Sequence, residues 1–335
     1  ASADAILAHL AAEGLTLRWI LETHAHADHL SSAPHLQAKA GGQIAIGMGI
    51  RQVQATFKRV FGLGDEFVPD GRQFDRLLAD GEAIELGGIT GRVIPTPGHT
   101  NDSVSYLFGD ALFVGDTIFM PDGGSARCDF PGGDAAELYR SIQRLYALPP
   151  ETRLFVCHDY SPGGREPRCE TTVGAQRGSN IHVKADTPEQ EFVAMRRARD
   201  ATLDVPNLIL PSVQVNIRAG HLPPPDSDGV SYLRVPLNVV GRPLCIRLTS
   251  PASRNHTHAP RHPRHRRHAR AGPRLAREGR DPARGRPRAE RVRLRAHPRR
   301  AALSALDLRR RRAADRGAQA RAALRLGQAL VDGGP

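Results

Sequence analysis

Residues 23–29 read Thr-His-Ala-His-Ala-Asp-His and follow an apolar run, residues 15–23, that predicts a buried strand. Four potential metal ligands therefore lie within six residues: His24, His26, Asp28 and His29. Packing does not explain such a density of ligands, although a lone histidine is more often a core or surface residue than a ligand. Imidazole nitrogens on one tight loop can converge on one or two cations. The segment predicts a metal site where the first strand ends.

Three further segments repeat the arrangement of an apolar strand followed by a potential ligand. They are residues 94–100 with His99, residues 113–117 with Asp116, and residues 154–160 with His158. Each has an ordinary structural explanation, since Asp116 could cap a turn and His158 could be a hydrogen-bonded core residue. The repetition of one arrangement at three strand ends favours ligands of the same metal site.

The order of the predicted elements indicates the fold class. Residues 83–114 alternate turns with four β-rich runs and predict an antiparallel meander. Helical spacing follows Asp134, which with Glu137 resembles a capping box, and a further helix is predicted over residues 189–203. Sheets with helices packed outside them predict an α/β sandwich.

Charge divides the chain of 335 residues into two parts. Residues 242–335 hold 26 arginines, no lysine and six acidic residues, a net charge of +20, which leaves −8 for residues 1–241. We therefore predict a catalytic domain over 1–241, for which nucleic-acid binding is not supported, and a disordered Arg-rich tail over 242–335. The tail is either an arm for RNA, DNA or anionic lipid or the product of a frameshifted GC-rich gene, and we favour the second interpretation.

The cellular location of the protein is predicted from sequence features that residues 1–335 do not contain. No apolar run approaches the roughly 18–20 residues that span a bilayer, and residues 1–14 contain no basic segment typical of a secretory signal. The four cysteines form no Cys-x-x-Cys pair. We expect a cytoplasmic protein with reduced thiols and no membrane partner.

The four segments, THAHADH, PTPGHT, FVGDT and CHDY in this order, resemble the metallo-β-lactamase superfamily. In detail they are most similar to persulfide dioxygenases (sulfur dioxygenases) and to the glyoxalase II hydrolases, over about residues 15–237. The resemblance implies an αββα sandwich with the metal at the sheet edge. It also implies an N-terminal β-hairpin region that we do not find, so we expect the fold to lack its first N-terminal strands.

The two relatives imply different metal centres. Persulfide dioxygenases imply one Fe(II) held by His24, His99 and Asp116, two histidines and one carboxylate, a set typical of non-haem iron oxygenases. The remaining candidates would then orient these ligands: His26, Asp28, His29 and His158. Glyoxalase II implies two zinc ions with Asp116 as the bridge. Its first site would be His24, His26 and His99, and its second Asp28, His29 and His158. All these residues are present, so the ligands alone do not decide between one iron and two zincs.

Three other segments favour the dioxygenase. Residues 124–133, residues 158–167 and residues 214–216 resemble segments of that group, and residues 1–241 leave no room for the helical glutathione-binding domain of glyoxalase II. The expected reaction oxidises the sulfane sulfur of glutathione persulfide with O₂ to sulfite and releases glutathione, and a homodimer is a candidate assembly. Arg127 and Arg165 are candidates for the substrate carboxylates, with a structural ion pair as the alternative for each. Tyr160 matches a position that contacts glutathione in the hydrolases.

Overall fold

The computed structural model describes residues 2–237, so the Arg-rich tail and the predicted boundary at residue 241 lie outside the described residues. Seven α-helices are present in this part of the chain: α1 Ser2–Ala12, α2 Ala33–Ala40, α3 Ile50–Val60, α4 Ala135–Tyr146, α5 Val173–Ser179, α6 Glu189–Asp200 and α7 Ile209–Asn216. Nine strands accompany them: β1 Trp19–Leu21, β2 Gln43–Gly47, β3 Arg76–Leu78, β4 Ala83–Leu86, β5 Ile89–Pro95, β6 Val104–Phe108, β7 Ala111–Phe113, β8 Arg153–Phe155 and β9 Glu170–Thr172.

The strands form two sheets. The smaller sheet is parallel, in the order β1-β2-β3, and the larger one has six strands in the order β4-β5-β6-β7-β8-β9. Within the larger sheet only β7 and β8 run parallel, while the other neighbours are antiparallel. The predicted meander over residues 83–114 is confirmed, because short Gly-containing turns join β4 through β7 in sequence. Strands β5, β7 and β8 consequently end at the same edge of the sheet.

Successive side chains of a strand point to opposite faces of its sheet, and this alternation lets the two sheets pack against each other in a sandwich. In β2, Ile44 and Ile46 pack with α3 and α7, whereas Ala45 between them packs with Leu78 of its own sheet and with Val93 of the facing sheet. On the other side of the larger sheet, α4 contributes three buried apolar residues to a core: Leu138, Ile142 and Leu145. The layers are therefore helix, sheet, sheet, helix, and the predicted αββα sandwich is confirmed.

Two local predictions differ from the structure. The first strand spans three residues instead of the nine predicted over residues 15–23, and its side chains are only half-buried. Among the described strands, β1 pairs with β2 alone, so its second edge has no ladder to extend it. At α4, Asp134 caps the helix through the amides of Ala136 and Glu137, while the Glu137 side chain pairs with Arg140 instead of closing a capping box.

None of the helices of residues 2–237 combines the length and the apolar character that crossing a lipid bilayer requires. Since α1 is the first described element, the expected lack of further N-terminal strands stays a prediction.

Candidate metal centre

The His-rich loop (residues 23–29) starts two residues after β1 and is tied to the larger sheet. The amide of Val104 donates to the carbonyl oxygen of Thr23 at 2.9 Å. The buried carboxylate of Asp102 accepts a hydrogen bond from the amide of Ala25 at 2.8 Å. Asp102 lies in the β5–β6 connection and Val104 is the first residue of β6, so the segment directly after the His99 turn also fixes the position of the loop.

His99 lies on a turn whose conformation and close packing require glycine at the preceding residue, Gly98. Gly98 has φ +140°, and a Cβ there would lie 2.3 Å from the Cα of Leu138 in α4. The Nδ1 of His99 donates to the carbonyl oxygen of Arg127 at 2.7 Å. This bond fixes the tautomer of the ring, so that Nε2 carries the lone pair a metal ligand needs.

Asp116 follows β7 through Gly115, which has φ +51° and lies against the side chain of Thr23. A Cβ at position 115 would lie 2.6 Å from the Thr23 Cβ, so glycine allows the end of β7 to approach the His-rich loop. The carboxylate of Asp116 is buried between the two sheets' ends.

His24, His99 and Asp116 form a buried triad whose ligand atoms all lie within 4.8 Å of one another. The Oδ2 of Asp116 is 3.9 Å from the Nε2 of His24 and 3.8 Å from the Nε2 of His99. His24 Nε2 and Asp116 Oδ1 have no hydrogen-bond partner among the described residues although both are buried. Unpartnered buried polar atoms are costly, and two nitrogens facing a carboxylate oxygen fit a cation at their centre.

Burial and the neighbouring rings of His26 and His99 hold the pKa of His24 well below its ordinary value. The ring is therefore neutral at physiological pH, which is the state that binds a metal.

A second potential ligand group consists of His26, Asp28 and His29, whose ligand atoms also lie within 4.8 Å of one another. His158 joins the two groups, because its Nε2 lies 3.3 Å from Asp28 Oδ2 and 3.5 Å from Asp116 Oδ1. The hydrogen bond with Asp28 raises the pKa of His158 to about 9. One oxygen of Asp116 thus faces His24 and His99 and the other faces His158. This is the position expected of a carboxylate that bridges two metal sites.

Glu22, which sequence reasoning did not single out, determines the orientation of His26. Its Oε2 lies 3.5 Å from the Nε2 of His26, and the Ser31 hydroxyl donates to its other oxygen. Burial opposes protonation of His26, but the hydrogen bond with Glu22 and the neighbouring carboxylates raise its pKa. Since a carboxylate accepts hydrogen bonds, the form of His26 that can bind a metal carries its proton on Nε2 and its lone pair on Nδ1. That Nδ1 is buried without a hydrogen-bond partner among residues 2–237 and is free to act as a ligand atom.

A cleft of about 520 Å³ opens beside these groups. Its metal-facing side includes Asp28, His99, Asp116 and His158. Apolar and basic residues also line the cleft: Phe119, Phe130, Tyr160, Leu203, Arg127, Arg196 and Arg199. Such a mixture of apolar walls with a few polar groups is typical of a small-molecule site.

The three predicted substrate-binding residues occupy different positions. Tyr160 lines the cleft, is 68% exposed and stacks near His158 with ring centroids 6.1 Å apart. Arg127 lines the cleft too, but its guanidinium already binds both oxygens of Asp129 and the carbonyl of Asp204. Arg165 is not among the residues lining the cleft, and its donors pair with the carboxylates of Asp122 and Asp159. Their roles toward substrate stay predictions.

Other residues at the site were missed by sequence reasoning. Glu22 and Asp102 support the His-rich loop, and His182, which lay outside any ligand spacing, lines the cleft and accepts a hydrogen bond from the Ser125 amide at 2.9 Å. Glu22 could have been noticed in the sequence, because it is an acidic residue directly after the apolar strand β1.

Comparison with known proteins supports this geometry. The family model described as the metallo-beta-lactamase superfamily matches residues 1–158. A probable metallo-hydrolase of Burkholderia pseudomallei is 52% identical over 250 residues, which cover 72% of this chain and 85% of that protein. The chain belongs to the metallo-β-lactamase superfamily. It is a metal-binding superfamily, in agreement with the His and Asp cluster of this member.

Other members of the superfamily carry different names. A beta-lactamase hydrolase-like protein of Xylella fastidiosa is 51% identical over 71% of this chain, and the chain spans only 55% of that protein's length. Glyoxylase B2 of Dictyostelium discoideum is 49% identical over 70% of this chain and 82% of that protein. Among solved structures, ETHE1 of Myxococcus xanthus is 30% identical with a TM-score of 0.53, covering 65% of this chain and 84% of that one.

Proposed function

We propose that this superfamily member is a glutathione persulfide dioxygenase with one Fe(II) per chain. The observation that carries the proposal is the buried triad of His24, His99 and Asp116, two imidazoles and one carboxylate with converging ligand atoms. Support comes from the similarity to ETHE1, a persulfide dioxygenase. The reaction consumes glutathione persulfide, O₂ and water and yields glutathione, sulfite and two protons.

The residues of this chain have distinct tasks in that reaction. The triad holds the metal, and bound Fe(II) supplies the redox chemistry for O₂ together with an affinity for the terminal thiolate of the persulfide. The hydrogen bond from His99 to the Arg127 carbonyl keeps the ligand nitrogen directed to the metal position. Phe119, Phe130 and Tyr160 line the cleft next to it and would shield the reacting sulfur from bulk water.

A dinuclear zinc hydrolase of glutathione thioesters is the second candidate. Asp116 favours it, because one of its oxygens faces the triad and the other lies 3.5 Å from His158 Nε2, as a bridging ligand would. The relatives named as hydroxyacylglutathione hydrolases also support it, for example that of Acidiphilium cryptum, 38% identical over 48% of this chain. The two ligand groups would then hold zinc ions, which would supply Lewis-acid activation of water for hydrolysis of the thioester.

Metal content and oxygen uptake distinguish the two candidates. We would purify the full chain without oxygen, determine iron and zinc per chain, and record O₂ consumption after adding glutathione persulfide. The same preparation would be assayed for hydrolysis of a glutathione thioester. His99→Ala tests the triad, and His35→Ala is the matched control, since His35 is an exposed histidine that pairs with Asp4 and is not among the residues lining the cleft.

We expect about one iron per chain and prompt oxygen uptake, lost in His99→Ala and retained in His35→Ala. Two zinc ions per chain with thioester hydrolysis and no oxygen uptake would replace the dioxygenase by the hydrolase. The domain division at residue 241, the cytoplasmic location and the homodimer remain proposals from sequence alone.

A further inference from the structure

Helix α6 contributes two arginines to the lining of the cleft. Arg196 and Arg199 are three residues apart and therefore share one helix face, and both line the cleft. They differ in what they contact. Arg196 is 1% exposed and donates to Asp200 and to the carbonyl oxygen of Ser125, so its charge is already compensated.

Arg199 is exposed, and within residues 2–237 its guanidinium has neither a hydrogen bond nor an ion pair. The other cation of the cleft wall, Arg127, pairs with both carboxylate oxygens of Asp129, and Arg165 outside the cleft pairs with two carboxylates. Arg199 is thus the described arginine of the cleft with donors available to a ligand.

Resting on the proposed glutathione substrate, we infer that Arg199 binds a carboxylate of the tripeptide and so determines specificity for it. A guanidinium can bind a carboxylate through two parallel hydrogen bonds. The sulfur end of the ligand lies toward Asp116 and His158, while its carboxylate end lies toward α6. A cleft of about 520 Å³ falls within the volume range of sites for ligands of this size.

The charge of the cleft agrees with this orientation. Its metal-facing side carries the carboxylates of Asp28 and Asp116, which would repel an anionic end of the ligand wherever a metal does not compensate them. Arg199 lines the same cleft together with the apolar residues Leu203 and Pro206. With the metal bound, a soft thiolate would be directed to the metal and a carboxylate to Arg199, so a ligand with one at each end would bind in one direction.

Direct binding tests the inference without turnover. S-methylglutathione, which has no sulfane sulfur and no thioester, would be titrated into the full metal-loaded chain by calorimetry. The variants are Arg199→Ala, Arg199→Lys and the matched control Arg197→Ala. Arg197 is an exposed arginine of the same helix that does not line the cleft. Thermal unfolding of each variant verifies the fold.

We expect Arg199→Ala to raise the Kd by about tenfold, Arg199→Lys to raise it less, and Arg197→Ala to stay within about twofold of the wild type. S-methylated cysteinylglycine and the glycine ethyl ester of S-methylglutathione identify the carboxylate. The effect of Arg199→Ala should disappear for whichever ligand lacks the partner of Arg199.

Equal Kd values for Arg199→Ala and Arg197→Ala would overturn the inference. An Arg199→Ala effect that is the same for all three ligands would overturn it as well. So would a wild-type chain that does not bind S-methylglutathione at millimolar concentration. These outcomes are independent of the reaction, because a chain that binds through Arg199 but neither takes up O₂ nor hydrolyses thioesters would refute only the proposed function.

Discussion

Asn216, the last residue of α7, donates from its Nδ2 to the carbonyl oxygen of His26 at 2.8 Å, across 190 residues of sequence. The same nitrogen lies 2.7 Å from the carbonyl oxygen of His29, and the Asn216 Oδ1 accepts from the Ser31 amide at 2.9 Å. One buried side chain therefore holds two backbone carbonyls of the His-rich loop and the amide of Ser31 just after it. In the sequence, residues 214–216 are notable only for their resemblance to a dioxygenase segment.

Replacing Asn216 by Asp should weaken metal binding by about 10–100-fold, because the variant keeps the acceptor for Ser31 but places an oxygen against two carbonyl oxygens. Metal affinity would be measured by competition with a chelator. Asn180→Asp is the control, since Asn180 is also buried and donates to backbone and side-chain oxygens outside the loop. Equal metal affinity in the two variants would contradict the positioning role of Asn216.

Glu22→Gln should change the tautomer of His26 and lower metal affinity by roughly tenfold. If the Ser31 hydroxyl keeps the amide oxygen, the amide nitrogen faces His26 Nε2, which must then accept, and the proton moves to Nδ1. Nitrogen NMR of the labelled histidines would report the tautomer directly. In Glu82→Gln, which affects a pair with Arg76 away from the loop, neither quantity should change. An unchanged His26 spectrum in Glu22→Gln would refute this assignment.

Gly98→Ala should destabilise the fold by about 3 kcal/mol or more and reduce bound metal, because φ is +140° and the new Cβ would meet the Cα of Leu138 at 2.3 Å. Gly109→Ala is the matched control. Gly109 also has positive φ, +61°, but no atom lies within 4 Å of the position that a Cβ would take there, so about 1 kcal/mol is expected. Denaturant unfolding measures both, and similar losses would contradict the close approach of α4.

His182 should make the fold sensitive to acid. Burial, together with Arg196 and Arg199, lowers its pKa from the ordinary 6.5 to about 4, and its Nδ1 accepts from the Ser125 amide. Because the unfolded chain binds the proton more tightly, this contribution to stability is complete above pH 6.5 and is lost as the pH falls toward about 4. After allowance for solvent screening, the loss is about 1–3 kcal/mol.

In His182→Asn the amide oxygen can replace Nδ1 as the acceptor without titrating. The free energy of unfolding of the metal-free chain should therefore fall less between pH 6.5 and 4 in this variant than in the wild type. Parallel pH profiles for the two proteins would show that His182 does not contribute.

Local sequence was sufficient for the elements that short turns and helix caps define. The meander of β4 through β7 and the start of α4 at Asp134 were predictable, since neighbours in sequence pair with or cap one another. The length of β1 was not, because only the residues that pair with β2 form a ladder, and β2 is a separate element.

The sequence by itself determined which ligand types follow the strands, since the position of His24, His99, Asp116 and His158 directly after apolar runs is a local property. Only the tertiary structure decided which of them meet, because the triad combines residues from both sheets. The tertiary structure also decided which arginines form ion pairs with carboxylates. Arg127 and Arg165 bind carboxylates of this chain, while Arg199 binds none among residues 2–237. Ion pairs depend on distances between side chains, which sequence spacing does not fix.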